Sequence, residues 1–127
     1  MQTEAFEPYT FDFKQAADLL DLMSSPVRIE VLQRVSIREW DVTALETDLA
    51  MGQSALSQHL AKLRDAKLVS TRRAAQQIYY KSDSPAVHAI LKTLEALGPM
   101  PMGRLTEAQE AARQHRIGQR STLPNVA

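Results

Sequence analysis

On a helix wound at about 100° per residue, Ser54, Ser57 and Gln58 fall together with Ala61 and Asp65 on one side. Leu56, Leu60 and Leu63 fall on the other, with Ala55, Ala66 and Leu68 near them. A surface helix ordinarily carries Glu and Lys on its outer face. Hydroxyls, an amide and a methyl in their place invite close approach by something with donors and acceptors of its own. The base edges of a DNA major groove meet that description: Gln pairs bidentately with adenine, and Ser donates or accepts to base or phosphate. A second device follows in the chain. Val69 begins a short run favouring extended structure, Ala74, Ala75 and Gln76 interrupt it, and Ile78, Tyr79 and Tyr80 resume it, which predicts a β-hairpin. Arg72, Arg73, Gln76 and Gln77 lie near its tip, long enough to reach a phosphate backbone or a minor groove.

Charge separates a nucleic-acid surface from a merely polar one. The whole chain has fifteen basic and fifteen acidic residues and is neutral. Residues 53–81 carry Lys62, Arg64, Lys67, Arg72, Arg73 and Lys81 against Asp65 alone, a net of +5 that leaves −5 for the remainder. Such segregation gives a local positive field that attracts a polyanion while the rest of the surface avoids it. Lys62 and Arg64, on the same helix as the serines, are expected on the phosphate backbone.

The elements that must position these groups are mostly helical. At 127 residues one domain is expected. Residues 1–11 read as a flexible arm, residues 12–98 as the domain, and residues 99–127, interrupted by Pro and Gly, as a disordered tail with at most a short helix over 106–115. Within the domain, Ala16, Ala17, Leu19, Leu20 and Met23 predict an amphipathic helix from Asp12 to about Ser24. Ser25-Pro26 signals a new helix to about Val35, burying Ile29, Leu32 and Val31 and leaving Arg28 and Glu30 in solvent. Residues 36–39 read as a connector with Ile37 and Trp40 turned inward, Trp40 as a packing anchor rather than a ligand platform. Asp41 then caps a short helix through Val42, Leu45 and Leu49, and Met51-Gly52 breaks it before the Gln53 helix. Two short helices around a tight Gly-containing turn form a helix-turn-helix. Ser84-Pro85 opens a last helix whose stripe, Val87, Ile90, Leu91, Leu94 and Leu97, is wholly aliphatic. With four other helices already covering the core, so regular a stripe suggests packing against a second copy.

The fold class is therefore mainly α with a small β-hairpin, a winged helix-turn-helix dimerising through its terminal helices. The alternative is the same module used for protein association, which leaves the Ser and Gln face unexplained. An enzyme is disfavoured: there is no cysteine, no paired-carboxylate motif, no phosphate-binding glycine loop, and the three histidines lack partners at useful spacing. The absence of cysteine also removes disulfides and thiol-based sensing. No apolar run approaches the roughly 18 residues of a membrane span, and the acidic, aromatic start does not resemble a signal peptide, so a cytoplasmic location is expected.

The run from Gln53 to Arg64, QSALSQHLAKLR, followed by Leu68-Val69-Ser70-Thr71-Arg72-Arg73 and Ile78-Tyr79-Tyr80, resembles the ArsR/SmtB family of bacterial transcriptional repressors over about Leu19 to Leu97. The wing sequence Arg72-Arg73-Ala74-Ala75-Gln76 departs from the family's common Arg-Arg-Glu-Gly-Arg and is similar to that of the NolR-like subgroup. The resemblance implies a homodimer that binds an imperfect inverted repeat in double-stranded DNA and usually represses. By matching positions it implies Gln53, Ser54, Ser57, Gln58 and His59 as groove-facing residues, and Arg72, Arg73, Gln76 and Gln77 as wing contacts. His59 borders the apolar edge of the helix, so a packed histidine and a phosphate contact both stand open. The dimer interface is expected from Leu19, Leu20, Val87, Ile90, Leu91, Leu94 and Leu97. The family's metal-sensing positions fall at Asp41 and Thr43, or at Ser84, Ala86, Leu97 and Met100, which lack the N or S ligand set that Zn requires. His88 and His115 are isolated. No metal, cofactor or membrane partner is expected.

Overall fold

A computed structural model of the chain describes residues 9–100. The expectations for most of the arm and the tail, including a helix over 106–115 and His115, lie outside them. Side-chain caps set most of the helix starts. Asp12 accepts from the Gln15 amide to open α1 (Phe13–Leu22), and Ser25 from that of Arg28, with Pro26 at the first turn, to open α2 (Pro26–Ile37). Asp41 caps α3 (Val42–Leu49) through the Ala44 amide at 2.7 Å, and Ser84 caps α5 (Pro85–Leu97) through that of Val87. The helix between them, α4 (Gln53–Asp65), has Gly52 at its N-cap and no side-chain cap bond. Tertiary packing must hold α4 in place.

That packing is a single apolar cluster. Leu56 and Leu63 are fully buried and Leu60 nearly so, against Val31, Leu32 and Val35 of α2, Leu45 and Leu49 of α3, and Val87 of α5. Met23, Val69 and Tyr80 close its edges, with Leu19, Ile29, Trp40, Ile90 and Leu91 packed around it in part.

The sheet has three antiparallel strands in the order β1-β3-β2, with β1 (Trp40–Asp41), β2 (Ser70–Ala74) and β3 (Gln77–Lys81). The sequence predicts the β2–β3 hairpin but not β1, whose two residues are too few to show alternation. Trp40 pairs with Tyr80 and Asp41 with Tyr79, so the hairpin is stitched to the chain just ahead of α3. Buried Ser82 makes the second attachment: its amide donates to the Val35 carbonyl at 2.9 Å, and its hydroxyl to that of Leu68 at 2.7 Å.

Other expectations need correction. Helix α2 runs two residues further than predicted, which turns Ile37 away from the Val31, Leu32 and Val35 stripe and leaves it 80% exposed rather than in the core. Arg28 is not solvated: it is half-buried and donates to the Leu22 carbonyl at the end of α1 and, at 3.3 Å, to the Asp21 carbonyl, which also accepts from the Ser24 amide and hydroxyl. Glu30 is likewise half-buried. The turn between α3 and α4 does not depend on glycine. Ala50 takes the left-handed conformation there (φ 52°, ψ 48°), and Gly52 is extended. Val87, assigned to a dimer interface, is fully buried in the chain's own core. The rest of that stripe emerges progressively: Ile90, Leu91 and Leu94 are half-buried and Leu97 is exposed, because α5 runs past the end of the core it packs on.

Candidate nucleic-acid interface

Three buried leucines fix the rotation of α4, and the rest of the helix is thereby sorted into stripes. Gln53, Ser57, Ala61 and Arg64 line a groove of about 580 Å³ between α4 and the hairpin. Ser54, Gln58 and Lys62, at i, i+4 and i+8, form the neighbouring stripe and are exposed. The side chains of Gln53, Ser54, Ser57 and Gln58 make no hydrogen bond among the described residues, so their donors and acceptors face outward unspent. The groove's opposite wall is Gln76, Gln77, Ile78 and Tyr80 of the hairpin, and its floor includes Thr43 and Glu46 of α3. Those two α3 residues were not anticipated. Their signal was available in principle, since they sit at i and i+3 beside the Val42, Leu45 and Leu49 stripe. An acid in a groove otherwise rich in neutral donors is a selective feature, because a carboxylate accepts from cytosine N4 and repels phosphate.

The hairpin divides the arginines that the sequence grouped together. Residues directly opposite each other across an antiparallel ladder share a face. Arg73 is paired with Ile78 and Thr71 with Tyr80, which puts them on the groove side; Arg72 is paired with Tyr79 on the other side. There the Arg72 guanidinium lies 4.7 Å from the centre of the Tyr79 ring and makes two bonds to Glu39, Nε to Oε1 at 3.0 Å and Nη2 to Oε2 at 2.7 Å. Arg73 has no hydrogen-bond or ion-pair partner among the described residues. The tip is a two-residue turn in which Ala75 (φ 49°) and Gln76 (φ 67°) both sit in left-handed conformations. Hairpin turns of that kind favour Asn-Gly for steric reasons, and here an ordinary pair is held in it.

His59 occupies the inner border of α4. Its Nδ1 lies 3.2 Å from Arg28 Nη1, and because a guanidinium only donates, Nδ1 is the acceptor and the proton of neutral His59 sits on Nε2. Desolvation, then the charges of Arg28 and Lys62, hold its pKa below the ordinary value. The half-buried ring of His59 thus ties α4 to α2 through Arg28. Arg64 leans on the wing, with Nη1 3.5 Å from the Tyr80 hydroxyl, and Lys62 is exposed.

Residues 25–71, which span α2, α3, α4 and the start of the hairpin, match the model for the bacterial regulatory protein arsR family. The nodulation protein NolR of Rhizobium meliloti is 49% identical over 83 residues, 65% of this chain and 68% of that protein. The chain belongs to the arsR family. The transcriptional activator HlyU of Vibrio cholerae, 40% identical over 83 residues, shares 65% of this arsR-family chain and 77% of its own length with it. The crystal structure of NolR from Sinorhizobium fredii superposes with a TM-score of 0.63 at 42% identity, covering 72% of this chain and 96% of that one. The architecture is that of the winged helix-turn-helix regulators, with α3 and α4 as the two helices of the motif and β2–β3 as the wing.

The residues expected from the resemblance at metal-sensing positions serve other ends in this arsR-family chain. The Asp41 carboxylate caps α3, Ser84 caps α5, and Thr43 faces the α4 groove. Ala86 and Leu97 carry no ligand atom. These residues do not fit a Zn site.

Proposed function

We propose that this arsR-family chain is a sequence-specific DNA-binding transcriptional regulator that acts as a homodimer on an inverted-repeat operator and represses the promoter it occupies. The observation that carries the reading is the outer surface of α4. Ser54, Ser57 and Gln58 keep their hydrogen-bonding capacity free on a helix whose opposite side is locked into the core, which is what direct reading of base edges requires. Gln53 extends that surface into the groove. Lys62, Arg64 and Arg73 supply phosphate contacts on either side, and Gln76 and Gln77 complete the wing's reach.

Dimerisation rests on the apolar surface left over. Phe13 is 71% exposed, Leu20 58%, Leu97 55%, and Met100 47%, all on or beside the terminal helices α1 and α5. Soluble chains rarely leave that much aliphatic and aromatic side chain in water on one pair of elements unless something covers it. A second copy covers it symmetrically and spaces two α4 helices for successive turns of the major groove. Leu19, Ile90 and Leu91 pack against the core beneath this surface, and Leu94 is half-buried on the same helix as Leu97. Among the described residues no helix is long and apolar enough to cross a membrane.

The test is retention of genomic fragments by the purified protein, followed by titration of the preferred duplex against salt. The reading expects one enriched inverted repeat and log K falling by about 0.9 per phosphate neutralised. Retention without sequence preference, or binding indifferent to salt, contradicts it.

A further inference from the structure

The backbone ties the wing to the rest of the fold through β3, by its pairing with β1 and by the Ser82 amide just beyond it, and not through the outer strand β2. Strand β1 has two residues, it pairs only with β3, and β2 is left as an edge strand whose nearest relation to the body of the domain is through its neighbour. The pair between Glu39 and Arg72 crosses that gap. Glu39 immediately precedes β1, Arg72 is in the middle of β2, and the side chains meet over Tyr79 on the intervening strand. All three strands are thereby strapped together on the face away from α4. The geometry is bidentate and stacked, the form in which an exposed ion pair is strongest and most directional.

We propose that Glu39 is a positioning residue of the wing: by holding Arg72 against Tyr79 it fixes the pitch of the hairpin over α4 and leaves Arg73 as the wing's phosphate-contacting arginine. Two neighbouring arginines thus do different jobs because strand alternation sends them to opposite faces. Arg73, on the groove face, makes no ion pair among the described residues, although Glu46 also lines that groove, whereas Arg72 is bound to Glu39 at full contact. The bond from Arg72 holds the Glu39 pKa below its ordinary value, so its carboxylate stays ionised further into acid than a free one does. The DNA-binding part of this inference rests on the function proposed above; the mechanical part does not.

The two parts are tested separately on the full chain. Hydrogen exchange at the β2 and β3 amides, without DNA, compares Glu39→Gln, Arg72→Gln, the double variant and Arg73→Gln. The strap predicts exchange faster by roughly two- to fivefold in either single variant, no further change in the double, and none in Arg73→Gln. Unchanged exchange in the singles, or an equal rise in Arg73→Gln, overturns it. On the preferred duplex, Glu39→Gln and Arg72→Gln are expected to lose about the same two- to fivefold with an unaltered salt slope, and Arg73→Gln to lower the slope by about 0.9 per protomer. If instead Arg72→Gln lowers the slope while Glu39→Gln binds as well as or better than the parent, Arg72 is a phosphate contact and the assignment is wrong. A parent protein that retains no duplex sinks the regulator reading and leaves the exchange result to decide the strap on its own.

Discussion

Helix α4 and the wing face each other across one groove and are built on opposite terms. Helix α4 is held by three leucines at or near complete burial, keeps its charges (Lys62, Arg64 and Asp65) in its C-terminal half beyond the serines and glutamines, and has no side-chain cap. The wing contributes mainly Tyr80 to the core, carries its charge outward, is strapped by an exposed ion pair, and turns through two residues in an unfavourable backbone conformation. The contrast teaches where precision is placed. Reading base edges demands a rigid platform with side chains fixed to a fraction of an ångström, whereas contacting a phosphate backbone tolerates an element that adjusts.

Substitutions that attack the two regions should separate accordingly. The largest effect is expected from Leu56→Ala, which removes a fully buried side chain beneath the α4 platform; thermal or urea unfolding should show a loss of about 3 kcal/mol. A loss below about 1 kcal/mol would mean that the platform is not what holds α4. Next comes Gln58→Ala, expected to cost about 1 to 3 kcal/mol on the preferred duplex and much less on random DNA, with folding unaffected. Equal losses on both duplexes would place Gln58 on the backbone instead. Smaller still is the turn. Ala75→Asn together with Gln76→Gly should raise stability by about 1 kcal/mol, because that pair accepts two left-handed residues without the steric cost. A destabilised variant would show that the present turn is not strained.

The smallest expected effect is pH-dependent and distinguishes the inner border of α4 from the wing. The folded pKa of His59 lies below its ordinary 6.5, so an unfolded chain takes up the proton first as pH falls. The stability this contributes is complete above about pH 6.5 and is lost as pH falls through the depressed value; His59→Gln should flatten that part of the curve. Glu39 acts in a separate, lower window. Its contribution is present above the ordinary carboxylate value of 4.5 and lost below its depressed folded value, and Glu39→Gln removes it.

Much of this was legible in the chain. The periodicity of Leu56, Leu60 and Leu63 located both the buried side of α4 and, by exclusion, the outward one, because a helix wound into a core has a single rotation that satisfies its apolar stripe. Ser25-Pro26, Asp41 and Ser84-Pro85 gave the helix starts, since capping is chemistry between near neighbours. The features that escaped are those set by distant partners. Nothing local marks Glu39 as the counterion of Arg72, thirty-three residues on. The inward role of Arg28 depends on where α1 happens to end, and the split between Arg72 and Arg73 depends on a register that only the three-stranded sheet fixes. Ile37 was misplaced because two extra helical residues rotate a side chain by about 200°.

Under the proposed function, two copies set their α4 surfaces in neighbouring turns of one major groove. Chemical footprinting of the preferred duplex, at a protein concentration where binding stoichiometry is measured in parallel, tests it most directly. The account predicts two protected major-groove patches centred about 10 base pairs apart, related by a two-fold axis and filled by two chains. A single patch filled by one chain would contradict it.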